Sequence, residues 1–588
     1  MKRPLAGPAS SESGARDARM LTVAIIVWCG AWLGSRLASD STLAQMHAAL
    51  LPGVIAILSA LLICPLIWRS MLSARSRDGA AYRRRVGKFS FLCFRGVPTM
   101  MTLCAAFAAS TGGSLSWSTL RLNDATFILA AQESGVGDVT IHVRSPVTVS
   151  PLRSSKCTAD VLVTAVASGK AHTLILPSRF PATIYGDDPV CALRRDASYD
   201  IQAELSVSSF DGGVELRHST DAGAETVLVA EASIWWRSMA HVQQRFLSVT
   251  SRLGEQGRVL VPGLTMGVLG QETIIDASGG QVGVDAAYAR GVKEAFTRSG
   301  IMHLMVVSGG HFLLLSALVR WVANRIRPHP VVTAVTSIVA VCILVSAVYP
   351  SDAVWRAAVM SVLGVVSGLL GRRAQAISQL SWTVILMLFA QPRFADSYGF
   401  AFSCAAVLGI ALAARPLAGQ LEDMLGKAMA GLIATTLSAQ AFTLPIQLLI
   451  ESEIPVFSVP ANLLVAPVID LATMFGLIAL GSAWLLPELA YACAWLSSVG
   501  TSLMYDCARW LGGTEFSTVG WLAGVRGVVL MVVVECLLLA LVVSGHRLYA
   551  KACACAGEEQ SDGSFAYRRS IRSAVAFWVR ESREMFDV

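Results

Sequence analysis

Val331-Val332-Thr333-Ala334-Val335-Thr336-Ser337-Ile338-Val339-Ala340-Val341-Cys342-Ile343-Leu344-Val345-Ser346-Ala347-Val348-Tyr349 contains no charged residue. As a helix it reaches about 28 Å, close to the ~30 Å hydrocarbon thickness of a bilayer. It lacks the two-residue alternation of a barrel strand, and a helix satisfies its own backbone hydrogen bonds in lipid. Similar runs occur at 21–38, 48–68 and 89–109, then at 301–319, 353–370, 376–391, 397–414, 428–450, 455–486, 489–510 and 526–546. Charged residues make up 15% of the chain and apolar residues 54%, with mean hydropathy +0.58. A soluble globular protein carries about 25% charged residues. The reading is a polytopic α-helical membrane protein.

The net charge of +7 is informative through its distribution. Arg and Lys cluster at Lys2–Arg19, Arg69–Lys88, Arg320–Arg327, Arg372–Arg373, Arg415–Lys427 and beyond Arg547, all beside apolar runs. Positive charge marks the cytoplasmic side of short loops. One orientation serves every cluster: a plasma-membrane protein with cytoplasmic N- and C-termini. The first run follows a basic segment like a signal peptide, but Trp28 and Trp32 interrupt it and no A-x-A site follows, so it reads as a retained span.

The expected organisation is a disordered cytoplasmic end at 1–20, three spans with a basic cytoplasmic loop at 21–112, and an extracytoplasmic β domain at 113–232. An amphipathic interfacial helix at 233–262, a multi-helix membrane domain at 263–546 and a cytoplasmic tail at 547–588 follow. Residues 113–232 alternate apolar and polar residues in short runs separated by Gly, Pro, Asp and Ser, the pattern of a small all-β barrel or sandwich. Cys157 and Cys191 are the two cysteines of this region, on the oxidising side, and are expected to form a disulfide. The remaining cysteines have no metal-ligand spacing; no metal and no cofactor is expected.

Three polar constellations lie at membrane depth. His303, Ser308, Gly309 and His311 stand at the head of an apolar run, either hydrogen-bonded across helices or lining a polar conduit. Asp352 and Arg356 are four residues apart, as an ion pair or as a cation offered to a phosphate. Gln440, Pro445, Gln447, Glu451, Asn462, Pro467 and Asp470 run through two segments, either as a broken helix along a transport path or as packing hydrogen bonds. The stretch 455–486, with its prolines, is expected to be broken or re-entrant. A serine three residues before a histidine on one helix does not make a triad, so a membrane hydrolase at Ser308, His303 and His311 is the weaker reading. A transporter of a small solute or lipid is another alternative.

The stretch Phe296-Thr297-Arg298-Ser299-Gly300-Ile301-Met302-His303-Leu304-Met305-Val306-Val307-Ser308-Gly309-Gly310-His311 resembles the signature of the ComEC competence proteins. Leu264–Gly270 resembles the lead-in of that family. Trp355-Arg356-Ala357-Ala358-Val359-Met360, Gly371-Arg372, Tyr398–Gly409, Ala439-Gln440 with Thr443-Leu444-Pro445, and Pro460-Ala461-Asn462 through Pro467 resemble its later elements, in order. Gly310 stands where the family usually has Leu, and Ala401 where it has Gln.

The resemblance implies an OB-like extracytoplasmic domain and passage of single-stranded DNA into the cytoplasm during natural transformation. It also implies an extracytoplasmic DNA receptor and a cytoplasmic motor or strand-binding protein as partners, and leaves room for a homo-oligomer. The family's frequent metallo-β-lactamase-like domain carries HxHxDH, which this chain lacks, so no enzymatic activity is expected. Arg144, Arg153, Lys156, Arg194 and Arg195 are candidates to guide the strand, against the alternative of an ordinary solvated surface.

Overall fold

A computed structural model describes residues 19–37, 103–132, 135–150, 155–168, 174–208, 213–218, 226–273, 284–372, 374–538 and 540–541. The expected span at 48–68, most of that at 89–109, both basic termini and Arg153 lie outside the described residues. Among the described residues five helices are long and apolar enough to cross a membrane: Pro330–Ala347, Asp352–Leu369, Tyr398–Glu422, Lys427–Ile450 and Ser458–Ser482. Arg19–Leu37 and Ala376–Ala390 are shorter apolar helices packed against each other. Trp28 Nε1 donates to the Ala395 carbonyl at 3.0 Å, and its ring stacks on Phe400 with centroids 5.0 Å apart.

A helix over 103–122 runs ten residues past the expected start of the β domain. Ser, Thr and Gly dominate 110–119, most of which was expected to open the β domain. Ser110 and Thr111 instead bond back to the Phe107 carbonyl at 3.0 and 2.8 Å, which spares the polar atoms and leaves a slim surface. Gly30 and Gly34, one turn apart, let this helix approach Arg19–Leu37 closely: a Cβ on Gly30 would overlap Ser110 Oγ, and one on Gly34 would sit 2.8 Å from Ser114 Cβ.

Seven strands form the inserted sheet: β1 Gly135–Val143, β2 Thr148–Val149, β3 Cys157–Ser168, β4 Leu174–Gly186, β5 Ser198–Val207, β6 Val214–His218 and β7 Val227–Ala230. The order β1-β3-β4-β6-β5 closes on itself, because β1 also pairs with β5. All ring pairs are antiparallel except β4 with β6. Period-two alternation fills the ring with apolar side chains, visible in β5 where Ile201, Ala203 and Leu205 are buried. The Cys157–Cys191 disulfide joins the start of β3 to the short helix Asp188–Cys191, with Cα atoms 5.3 Å apart.

The stretch expected as one amphipathic helix is two, Ile234–Thr250 and Glu255–Met266, separated by a turn at Ser251–Gly254. The next apolar run starts as a helix at Gly309, not at 301: Gly300 has φ +75°, a 3₁₀ turn covers Met302–Met305, and Ser308 caps the helix Gly309–Ile326. The stretch expected to be broken at its prolines is a continuous helix, Ser458–Ser482, with Pro467 inside it. The irregularity falls before it, where Glu453–Pro455 pairs with Thr518–Gly520.

Candidate functional site

The site begins with the way two helix ends are joined. Leu264 lies in the last turn of Glu255–Met266, where carbonyls lack helical partners; Ser308 precedes Gly309–Ile326, where amides do. His311 serves both. Its Nδ1 accepts from the Ser308 amide at 3.3 Å, and its Nε2 donates to the Leu264 carbonyl at 2.7 Å. An amide can only donate and a carbonyl can only accept, so the ring is the neutral tautomer with its proton on Nε2. Ser308 Oγ accepts from the Gly310 amide at 3.3 Å, completing a capping box with histidine in the place usual for Glu or Gln. Both ring nitrogens of buried His311 are thus engaged with backbone groups, so neither is free to serve Ser308 as a base.

Arg356 projects from the second turn of Asp352–Leu369 and is 4% exposed. Its Nε donates to Ser403 Oγ at 2.6 Å, and Nη1 lies 3.6 Å from Met360 Sδ. Its Nη2 would lie 3.8 Å from a Cβ on Gly309. Among the described residues no carboxylate pairs with it, and the expected alternative of an Asp352–Arg356 ion pair fails. Asp352 instead accepts from Ser397 Oγ, the cap of the helix Tyr398–Gly409, whose Oγ in turn accepts from the Phe400 amide at 3.1 Å. The cap captures the carboxylate and leaves the guanidinium pointing toward Ser403 and Gly309.

Three separated stretches of sequence thus meet: Ser308–His311, Arg356 and Ser403. Ser403 lay in a quoted element but was not singled out; a buried arginine's need for an acceptor is the signal that finds it. Asn462, on Ser458–Ser482, spends its Nδ2 on the Ser458 carbonyl at 2.7 Å. Its helix packs through Ala461 and Val465 into the cluster holding Ile301 and Met305. His303 is exposed in the 3₁₀ turn. Gln440 and buried Pro445 belong to Lys427–Ile450, which backs the Ser403 helix where Gly409 meets the Ser438 carbonyl. No hydrogen bond joins them to Arg356 among the described residues. Pro467 is exposed on its helix.

The described basic candidates of the β domain are engaged in different ways. Lys156 pairs with Asp188 at 3.0 Å, which raises its pKa. Arg195 lies 3.6 Å from the Trp236 ring centroid, donates Nε to the Arg144 carbonyl at 3.0 Å, and is pushed down to about 10 by burial. It stays charged at neutral pH. Arg144 and Arg194 are exposed.

Apolar helices long enough to span, a barrel carried beside one set of their ends, and a buried cation at that level define a polytopic membrane protein with a polar site near one membrane face. Residues 282–546 match the family model described as Competence protein. A curated relative, ComE operon protein 3 of Bacillus subtilis (strain 168), is 25% identical over 188 residues, 32% of this chain and 24% of that protein. The matched segment therefore spans about a quarter of that relative's length. No solved structure matches the chain.

Proposed function

We propose that this protein is the inner-membrane channel through which single-stranded DNA enters the cytoplasm during natural transformation. Arg356 is the observation that carries the reading. A buried guanidinium without a carboxylate is costly unless water or an anion reaches it, and a planar fork of donors suits a phosphate. It stands beside the start of a helix, where backbone amides also favour negative charge. A single cation at such a point attracts a polyanion without gripping it.

The ring order of the β domain, closed by β1 on β5 with β4 parallel to β6, supports an OB-like barrel that guides the strand from outside. Arg320, Arg325 and Arg327 at the end of one helix, with Arg372, Arg415 and Lys427, lie at the ends of helices away from the barrel. That supports cytoplasmic termini and an extracytoplasmic barrel. The domain order fits an extracytoplasmic DNA receptor and a cytoplasmic motor or strand-binding protein as partners. The reading includes no catalysis; the engagement of both His311 ring nitrogens with backbone groups speaks against its acting as a base for Ser308.

The test is entry of labelled DNA into the cytoplasm of transformable cells carrying no copy of the gene, the wild type, or Arg356→Gln. Loss of entry in the null strain, with DNA still bound outside, supports the channel. A drop of tenfold or more with Arg356→Gln at normal membrane levels supports the cation's role. Unchanged entry in the null strain overturns the reading.

A further inference from the structure

One of the five long apolar helices is packed in a way that crossing does not allow. The short connections 327–329, 348–351 and 391–397 fix which helix ends share a side. Ser308, the Ala347–Asp352 turn, Ser397 and the end of Lys427–Ile450 all lie on the side that carries the β domain. The barrel and the helix that follows it are tied there: Thr148 of the barrel bridges to Thr273, and from Ile234–Thr250 Trp235 Nε1 donates to Ser346 Oγ at 3.1 Å and Gln243 donates to the Ala347 carbonyl at 2.9 Å.

Ser458–Ser482 starts on this side, where a Cβ on Gly300 would be 2.5 Å from Ser458 Cβ. Over 25 residues a helix runs about 37 Å, more than enough to reach the other face. Its far end does not go there. A Cβ on Gly476 would overlap Thr265 Oγ1, and the neighbouring Met266 carbonyl accepts from the Tyr349 amide at 2.8 Å, in the turn between two spans. Ala479, Leu480 and Ala483 share a buried cluster with Phe246, Leu247 and Ala347. The partner helix Pro487–Gly512 begins in the same place, with Glu488 paired to Arg252 at 3.0 Å.

We infer that the hairpin Ser458–Ser482 with Pro487–Gly512 does not cross the bilayer but lies along the leaflet on the β-domain side, held there by a lipid-facing apolar surface. Leu464, Leu471 and Ile478 are exposed at seven-residue spacing, as are Leu496, Leu503 and Trp510 on the partner. That spacing puts each set on one face of its helix. Asp470, exposed at the middle of the first helix, would sit near the bilayer centre in a crossing helix, where a charge is expensive. Along the leaflet it reaches water beside the headgroups. The occupant of the apolar face is the bilayer itself, because the face continues the lipid-exposed surface of the spans.

The test uses the full chain with its unpaired cysteines changed to serine and the Cys157–Cys191 pair kept. Glu488→Cys, at a side chain 80% exposed, is labelled with a membrane-impermeant maleimide in sealed spheroplasts. Glu231→Cys reports the β-domain side and Arg372→Cys the opposite side. Glu488→Cys labelled under the same conditions as Glu231→Cys is the expected result. Labelling that follows Arg372→Cys overturns the inference, because the hairpin then crosses. Silence on both sides, relieved only by denaturation, also overturns it, because the residue is then enclosed by protein.

Discussion

A histidine at the third position of a helix can do the work of the glutamate usual in a capping box, and it adds a donor that glutamate lacks. His311 uses that donor on Leu264, so one ring closes the start of one helix and the end of another. We predict that His311→Ala costs about 1–3 kcal/mol, the penalty for leaving buried polar groups without partners, read as a lower melting temperature in detergent and reduced membrane levels. His311→Gln should recover part of the loss, because it can still reach the Ser308 amide. A strain carrying His311→Ala should then lose DNA entry in proportion to protein level, whereas Arg356→Gln should lose entry at full level. Gly300→Ala is expected to damage folding more than either, since position 300 combines φ +75° with close approach to Ser458 and Pro455. The sequence pointed to His311 and Arg356 because polar side chains at membrane depth stand out. It did not reveal which atoms they meet: the fate of Arg356 depends on Ser397 capturing Asp352, a contact across 45 positions.

Helices and strands were legible to different degrees. The sheet follows from alternation, which burial of one face imposes, but closure of the ring rests on β1 pairing with β5 across a long stretch of chain that no local pattern encodes. The helix over 103–122 was hidden because Ser, Thr and Gly are read as loop formers, although beside another apolar helix they supply a slim contact surface. We predict that Gly34→Leu, against the Thr111 backbone in that contact, costs about 1–3 kcal/mol through overpacking. Increased protease access to the N-terminal segment of detergent-purified protein would register it, and unchanged access would mean the two helices do not pack as described. Ser458–Ser482 was misjudged for the opposite reason. Prolines suggested a break, yet Pro467 is accommodated within a continuous helix, and the feature that matters is where its two ends lie.

At the scale of the whole molecule, the barrel is tied to the chain that follows it at Thr148–Thr273 and to itself by a covalent bond. The disulfide closes a loop with a separation of 34 residues, which corresponds to about 3–4 kcal/mol of stabilisation in the chain-entropy account. Reduction, or Cys157→Ser, is therefore expected to speed proteolysis within 135–230 of the full-length protein while cleavage within the span-rich segment stays slow. Equal acceleration in both regions would mean that barrel and helices unfold as one unit.

Trp28 reaches its acceptor across 367 positions. A bacterial ribosome adds about 5–20 residues per second, so the first helix enters the bilayer roughly 20 to 70 seconds before Ala395 and Phe400 exist to receive it. During that interval its indole must find a temporary partner in lipid headgroups or in the insertion machinery. A helix made hundreds of residues before its partner is thus among the later ones to reach its final packing.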